Sequence, residues 1–269
     1  MRCRQEPTLS EHAVLVARLR AAGCVFAEDE ATLLVESAPT PAALESLVTR
    51  RIAGEPLEHV LGWVEFAGLR LTVGPGVFVP RRRTELLAEI AIERLYGRDE
   101  PVLVELCCGV GAVSAAVLTA LPEARVHASD LDAAAVDCAR GNLPLPAEVA
   151  IGDLDGAVPD DLRGRVDVLV ANTPYVPSEE VATMPREARE HEPLLALDGG
   201  ADGLALARRV VEVSAGWLRP GGIVAIETGV AQAPVLVTAM VAAGLEASIR
   251  TDPDREATAV VGRLRRIPG

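Results

Sequence analysis

Asn172-Thr173-Pro174-Tyr175 stands at the end of an apolar run, Val166 to Ala171, broken only by Asp167. The run reads as a buried strand. Asn and Pro are ordinary turn residues, so a plain turn is one reading of this tetrapeptide. The other is a pocket for a planar NH2 group. The Asn172 side-chain oxygen and the Thr173 backbone carbonyl offer two acceptors, and Tyr175, beside Pro174, offers a flat surface for an amide or base plane.

A second group of residues lies in VELCCGVGAVSAAV, residues 104–117. Gly109 and Gly111 let the backbone pass close to a ligand where a strand gives way to a helix. Ser114 stands where the dinucleotide fingerprint has its third glycine, which weakens a nicotinamide reading. Glu105, just before the turn, suits a ligand bearing an ammonium group better than a pyrophosphate. Asp130 follows Gly111 by 19 residues, where an acid can accept both hydroxyls of a ribose. Asp132 suits the cap of the next helix. In the IGDLDG stretch, Asp153 can accept from an exocyclic adenine amine, with Leu131 and Leu154 on the two faces of the ring. That stretch is equally an ordinary loop.

Elements of a particular kind must position these residues. From residue 101 onward, strands and helices alternate, the mark of a doubly wound parallel sheet. The expected strands are 102–106, 125–129, 148–151, 166–171, 222–228, 247–251 and 258–263. Only DPDREA separates the last two, too short for a parallel crossover, so they are expected to be antiparallel. Seven strands with such an end point to the sheet of S-adenosylmethionine-dependent methyltransferases. The glycine turn and Asn172 then share the carboxyl edge of the sheet, near the reversal of strand order. Upstream, helices are expected from Ser10 to Gly23 and from Thr40-Pro41 to about Gly54. WVEFAGLRLTV reads as a hairpin turning at Ala67-Gly68. The expected organisation is a helical domain over 1–62, a hairpin linker over 63–76 and a methyltransferase domain over 77–269.

Composition narrows the partners. The chain has 269 residues, 49% of them hydrophobic and 3% aromatic, so the core is aliphatic. A net charge of −13 argues against grip on nucleic-acid phosphates. No cleaved apolar leader and no membrane-spanning stretch are expected. Five cysteines without paired metal-ligand spacing read as reduced thiols, with no metal, in a cytoplasm. A monomer is expected.

On such a sheet the expected chemistry is methyl transfer to a nitrogen whose lone pair is delocalised. Asn172 and Thr173 would align that nitrogen and stabilise its developing positive charge.

The chain resembles the protein-(glutamine-N5) methyltransferases that modify the Gly-Gly-Gln motif of bacterial peptide chain release factors. GEPLEHVLGWVEF, FVPRRRTELL, VELCCGVGA, NTPY, HEPLLALDGGADGL and AIETG carry the resemblance. It implies S-adenosylmethionine as cofactor and a release factor as protein substrate. It also implies Asn172 and Tyr175 as catalytic residues, and the segment from Arg81 to Glu85 over the cofactor cleft. Arg81, Cys107 and Asn172 then join Glu105, Gly109, Gly111, Asp130, Leu131, Asp153 and Leu154 at the cofactor. The chain departs from the family pattern at Thr173, where a proline is usual, and at Cys107, where glycine is usual. The NTPY motif is shared with adenine-N6 nucleic-acid methyltransferases, which remain the alternative, disfavoured by the acidic charge.

Overall fold

The computed structural model describes residues 9–265. Four helices come first: α1 (Leu9–Ala21), α2 (Ala27–Ser37), α3 (Pro41–Ile52) and α4 (Leu57–Leu61). Thr40 caps α3 by accepting from the Ala43 amide at 3.2 Å, with Pro41 at the first helical position. The expected cap at Ser10 falls on a side chain outside those described. Leu19, Leu34, Val48 and Val60 form a small core of their own.

The hairpin β1 (Trp63–Phe66) and β2 (Leu69–Thr72) follows, antiparallel, with Val64 opposite Leu71. It is not a detached spacer. Val64, Phe66, Leu71 and Val73 are buried in the same core as the helix α5 (Glu85–Leu95) and the sheet beyond it.

The remaining elements are β3 (Val102–Leu106), α6 (Ala112–Ala120), β4 (Arg125–Asp130), α7 (Ala133–Asn142), β5 (Glu148–Ile151), β6 (Val166–Ala171), α8 (Arg186–His191), α9 (Ala205–Trp217), β7 (Leu218–Glu227), α10 (Ala233–Ala242), β8 (Leu245–Asp252) and β9 (Ala257–Leu264). Strand order is β5-β4-β3-β6-β7-β9-β8. All pairs are parallel except those of β9, which runs antiparallel to both β7 and β8. The tight Asp252–Ala257 connection forces that reversal, because it has no length for a crossover.

Two aliphatic cores cover the faces of the sheet. Leu103, Val168 and Val170 point to the layer of α5, α6 and α7. Val104, Leu169 and Ala171 point to that of α9 and α10. Each such side chain contributes roughly 1.5–3 kcal/mol on burial. Every residue of β6 is buried, so the expected apolar run is a central strand. Strand β7 begins at Leu218, four residues earlier than expected, because Leu218 pairs with Val166 before a bulge shifts the register.

Candidate active site

Strand order reverses between β3 and β6, which lie side by side with Leu106 opposite Ala171. The next residues along, Cys107 and Asn172, therefore emerge together at the carboxyl edge, where open α/β sheets bind ligands. A cleft opens there, lined by Cys107, Gly109, Asp130, Asp153, Asn172 and Pro174 among others.

The glycine turn forms one wall. Cys107, Gly109 and Gly111 all have positive φ, at 55°, 54° and 76°. A left-handed residue with a side chain is strained by about 1–3 kcal/mol, so Cys107 carries a cost that glycine avoids. Burial, with Asp130 nearby, pushes the Cys107 thiol well up, so it stays protonated and is no nucleophile. The Gly109 amide donates to Asp130 Oδ2 at 2.8 Å, and the Asp132 amide to Oδ1 at 2.9 Å. Asp130 thus closes the turn while keeping acceptor capacity toward the cleft. Burial raises its pKa against those two hydrogen bonds. Asp132 caps α7 by accepting from the Ala134 amide.

The floor is Asn172, whose Nδ2 donates to Thr84 Oγ1 at 3.2 Å. The rest of its motif is clamped from below. Gln232 Nε2 donates to the Tyr175 carbonyl at 2.8 Å and to the Asp202 carbonyl at 2.9 Å. A Cβ on Gly203 would collide with the Tyr175 carbonyl and Gln232 Nε2, and one on Gly199 would lie 2.6 Å from the Pro174 carbonyl. That close backbone approach is the physical reason for glycine in the LDGGADGL stretch.

The structure gathers Cys107, Gly109, Asp130, Leu131, Asp153, Leu154, Asn172 and Pro174 along the cleft. The other expected site residues are not among those that line this cleft. Glu105 is turned onto the start of α6, accepting from the Ser114 amide at 2.8 Å and from its hydroxyl. Burial pushes its carboxyl up to about 7. Gly111 stands behind the loop, facing Ala139 and Leu143. Arg81 pairs with the buried Glu192 at 2.5 Å and lies over Phe78, which itself lines the cleft. The Thr173 side chain is buried away from it. Tyr175 points its hydroxyl to Glu227 Oε1 at 3.2 Å, with Arg83 over its ring at 5.7 Å.

Asp153 does line the cleft, and its Oδ2 pairs with Arg209 at 2.9 Å. Arg209, Phe78 and Leu195 were missed from sequence. Leu195 lies within HEPLLAL, whose resemblance was visible, and α9 gave no sign that Arg209 would turn to the sheet edge. Among the described residues there is no cluster of metal-ligating side chains and no helix long and apolar enough to cross a membrane.

These residues suit a sulfonium nucleoside. Asp130 presents acceptors for a ribose, Leu131 is exposed along the same cleft for a base, and the Gly109 position leaves open space where a Cβ would stand. The dinucleotide alternative wants a third glycine in the turn, and Ser114 uses that position to hold Glu105. Fold and cleft together define an S-adenosylmethionine-dependent methyltransferase. Residues 68–191 match the methyltransferase small domain family. The release factor glutamine methyltransferase of Streptomyces coelicolor is 44% identical, over 67% of this chain and 65% of that one. Its counterpart in Mycolicibacterium smegmatis is 42% identical, over 74% and 72%. A 16S rRNA N2 G1207 methyltransferase of T. thermophilus, solved with AdoMet and guanosine, shares the fold at 22% identity and a TM-score of 0.54, over 76% of this chain and 50% of that one. The chain belongs to the release factor glutamine methyltransferase family.

Proposed function

We propose that the chain methylates the side-chain amide nitrogen (N5) of a glutamine in a peptide chain release factor. The observation that carries this reading is the setting of Asn172. Its Nδ2 is engaged by Thr84, which leaves Oδ1 to accept from a substrate NH2 at the cleft floor. S-adenosylmethionine supplies an electrophilic methyl group on a sulfonium sulfur. Asn172 Oδ1 and the Thr173 carbonyl bind the two N–H bonds of the substrate amide and turn its nitrogen lone pair toward the methyl. Both acceptors strengthen their hold as the nitrogen becomes positive. Pro174 and Tyr175 bound the plane of the amide, and the surplus proton leaves to water.

The names of the two curated relatives support the choice of substrate. Net charge −13 supports a protein over a nucleic acid. In this reading residues 1–62 form a helical unit, 63–76 the hairpin that joins it, and 77–269 the catalytic domain of a cytoplasmic monomer. The test is methyl transfer from labelled cofactor to purified release factor, with the glutamine of its Gly-Gly-Gln motif intact or replaced by asparagine. Label on the intact factor alone is expected. Label on neither factor, with duplex DNA or RNA labelled instead, would overturn the proposal.

A further inference from the structure

We propose that Glu192 is the clasp of the cofactor cleft, a positioning residue that joins two of its walls through Arg81. One wall is the segment before α5, in which Phe78 lines the cleft. The other is the stretch after α8, in which Pro193, Leu195 and Ala196 line it. Glu192 lies where the two meet and is 6% exposed. Its Oε1 accepts from the Val79 amide at 3.4 Å and from Arg81 Nη2 at 2.5 Å. Arg81 in turn lies over the Phe78 ring at 5.1 Å. Carboxylate, guanidinium and ring thus link the second wall to the first.

The stretch after α8 has little apolar anchorage where it borders the cleft. Leu194 and Leu195 are 61% and 57% exposed, so neither is pinned in a core. Its far end is anchored by the buried Leu197 and by Asp198, which bridges to Val176 and accepts from the Ser178 hydroxyl at 2.6 Å. Glu192 holds the near end. The pair is a poor source of stability, because Glu192 Oε2 is buried without a hydrogen-bond partner among the described residues. A buried ion pair with an acceptor left unfilled recovers little of its desolvation cost. An apolar pair would hold the fold as well, but without direction. Charge-assisted hydrogen bonds fix where one wall stands against the other. Phe78, Pro193 and Leu195 then meet the nucleoside already placed, and binding need not order them. The clasp serves the cofactor whichever nitrogen receives the methyl group.

The test uses full-length Glu192→Leu, Arg81→Met, the two combined, and Glu192→Gln. Calorimetry reads S-adenosylhomocysteine affinity and counts folded protein by its stoichiometry, and urea unfolding reads stability. Each single loss is expected to weaken affinity about tenfold, the scale of ordering one or two side chains anew. The double variant should lose no more than the weaker-binding single, because both break one link. It should also regain stability over the singles, because no buried charge is left unpaired. Glu192→Gln keeps an acceptor for Val79 and Arg81 and should bind within about threefold of the parent. A merely structural role would move stability and leave affinity per folded molecule alone. Parent-like affinity in Glu192→Leu or in the double variant therefore overturns the proposal. Additive losses in the double variant overturn it too, since Arg81 and Glu192 would then act separately. Should Glu192→Leu not fold alone, equal losses in Arg81→Met and the double variant support the clasp, and unequal ones reject it.

Discussion

The Gly109 amide lies 2.8 Å from Asp130 Oδ2, which ties the turn after β3 to the tip of β4. One carboxylate therefore shapes the loop and faces the cleft. Asp130→Ala should weaken S-adenosylhomocysteine binding by roughly 1.5–3 kcal/mol, the range for hydrogen bonds to a charged group. Calorimetry on the purified variant measures it. Unaltered affinity would remove Asp130 from the cofactor site.

Glu105 gives a pH signature. Burial raises its carboxyl from an ordinary 4.5 to about 7 against the hydrogen bonds from Ser114. For an acid with a raised folded pKa, the contribution to stability is fully present below the unfolded value. It is lost as pH rises from about 4.5 through about 7, by up to about 3 kcal/mol. Glu105→Gln should thus gain stability relative to the parent between pH 4.5 and 8. Urea unfolding of both proteins at each end of that window tests the sign, and parallel curves would refute it.

Asn172→Ala should lower turnover on the order of a hundredfold with little change in cofactor affinity, because its acceptor matters most in the transition state. Tyr175→Ala should instead raise KM as the plane beside the amide is lost. Turnover and melting temperature measured on the same samples separate these outcomes from a plain loss of fold.

Thr173→Pro restores the residue usual in the family. Thr173 lies beyond the last β6 pairing, and its buried hydroxyl has no partner among the described residues. The substitution removes that unsatisfied group, worth about 1–3 kcal/mol. The melting temperature should hold or rise with activity retained. A fall would mean that the amide hydrogen or backbone angle of Thr173 is needed.

Arg51 joins the N-terminal helices to the loop beyond the cleft. It is buried, pairs with Glu30 at 2.6 Å, and reaches Glu187 of α8 at 2.7 Å. Arg51→Met strands the buried Glu30 charge and should cost roughly 3–5 kcal/mol. Adding Glu30→Leu should recover part of it, read by urea unfolding. A double variant no more stable than the single would count against a shared ion pair.

Local patterning was enough to place every sheet strand within a few residues, because apolar runs and turn residues are properties of neighbours along the chain. The antiparallel end followed from the length of DPDREA alone. The glycine turn, Asp130 and Asn172 were legible for the same reason: a sheet of this kind brings its carboxyl-end loops together whatever else the chain contains. The tertiary structure decided where side chains turn once there. Glu105 swings onto Ser114 because the start of α6 offers it donors, and Arg81 is taken by Glu192, 111 positions away. Tyr175 and Glu227 meet only because β7 lies beside β6. Sequence spacing carries no record of such encounters, since the partners of a buried polar group are set by packing across the sheet and not by distance along the chain.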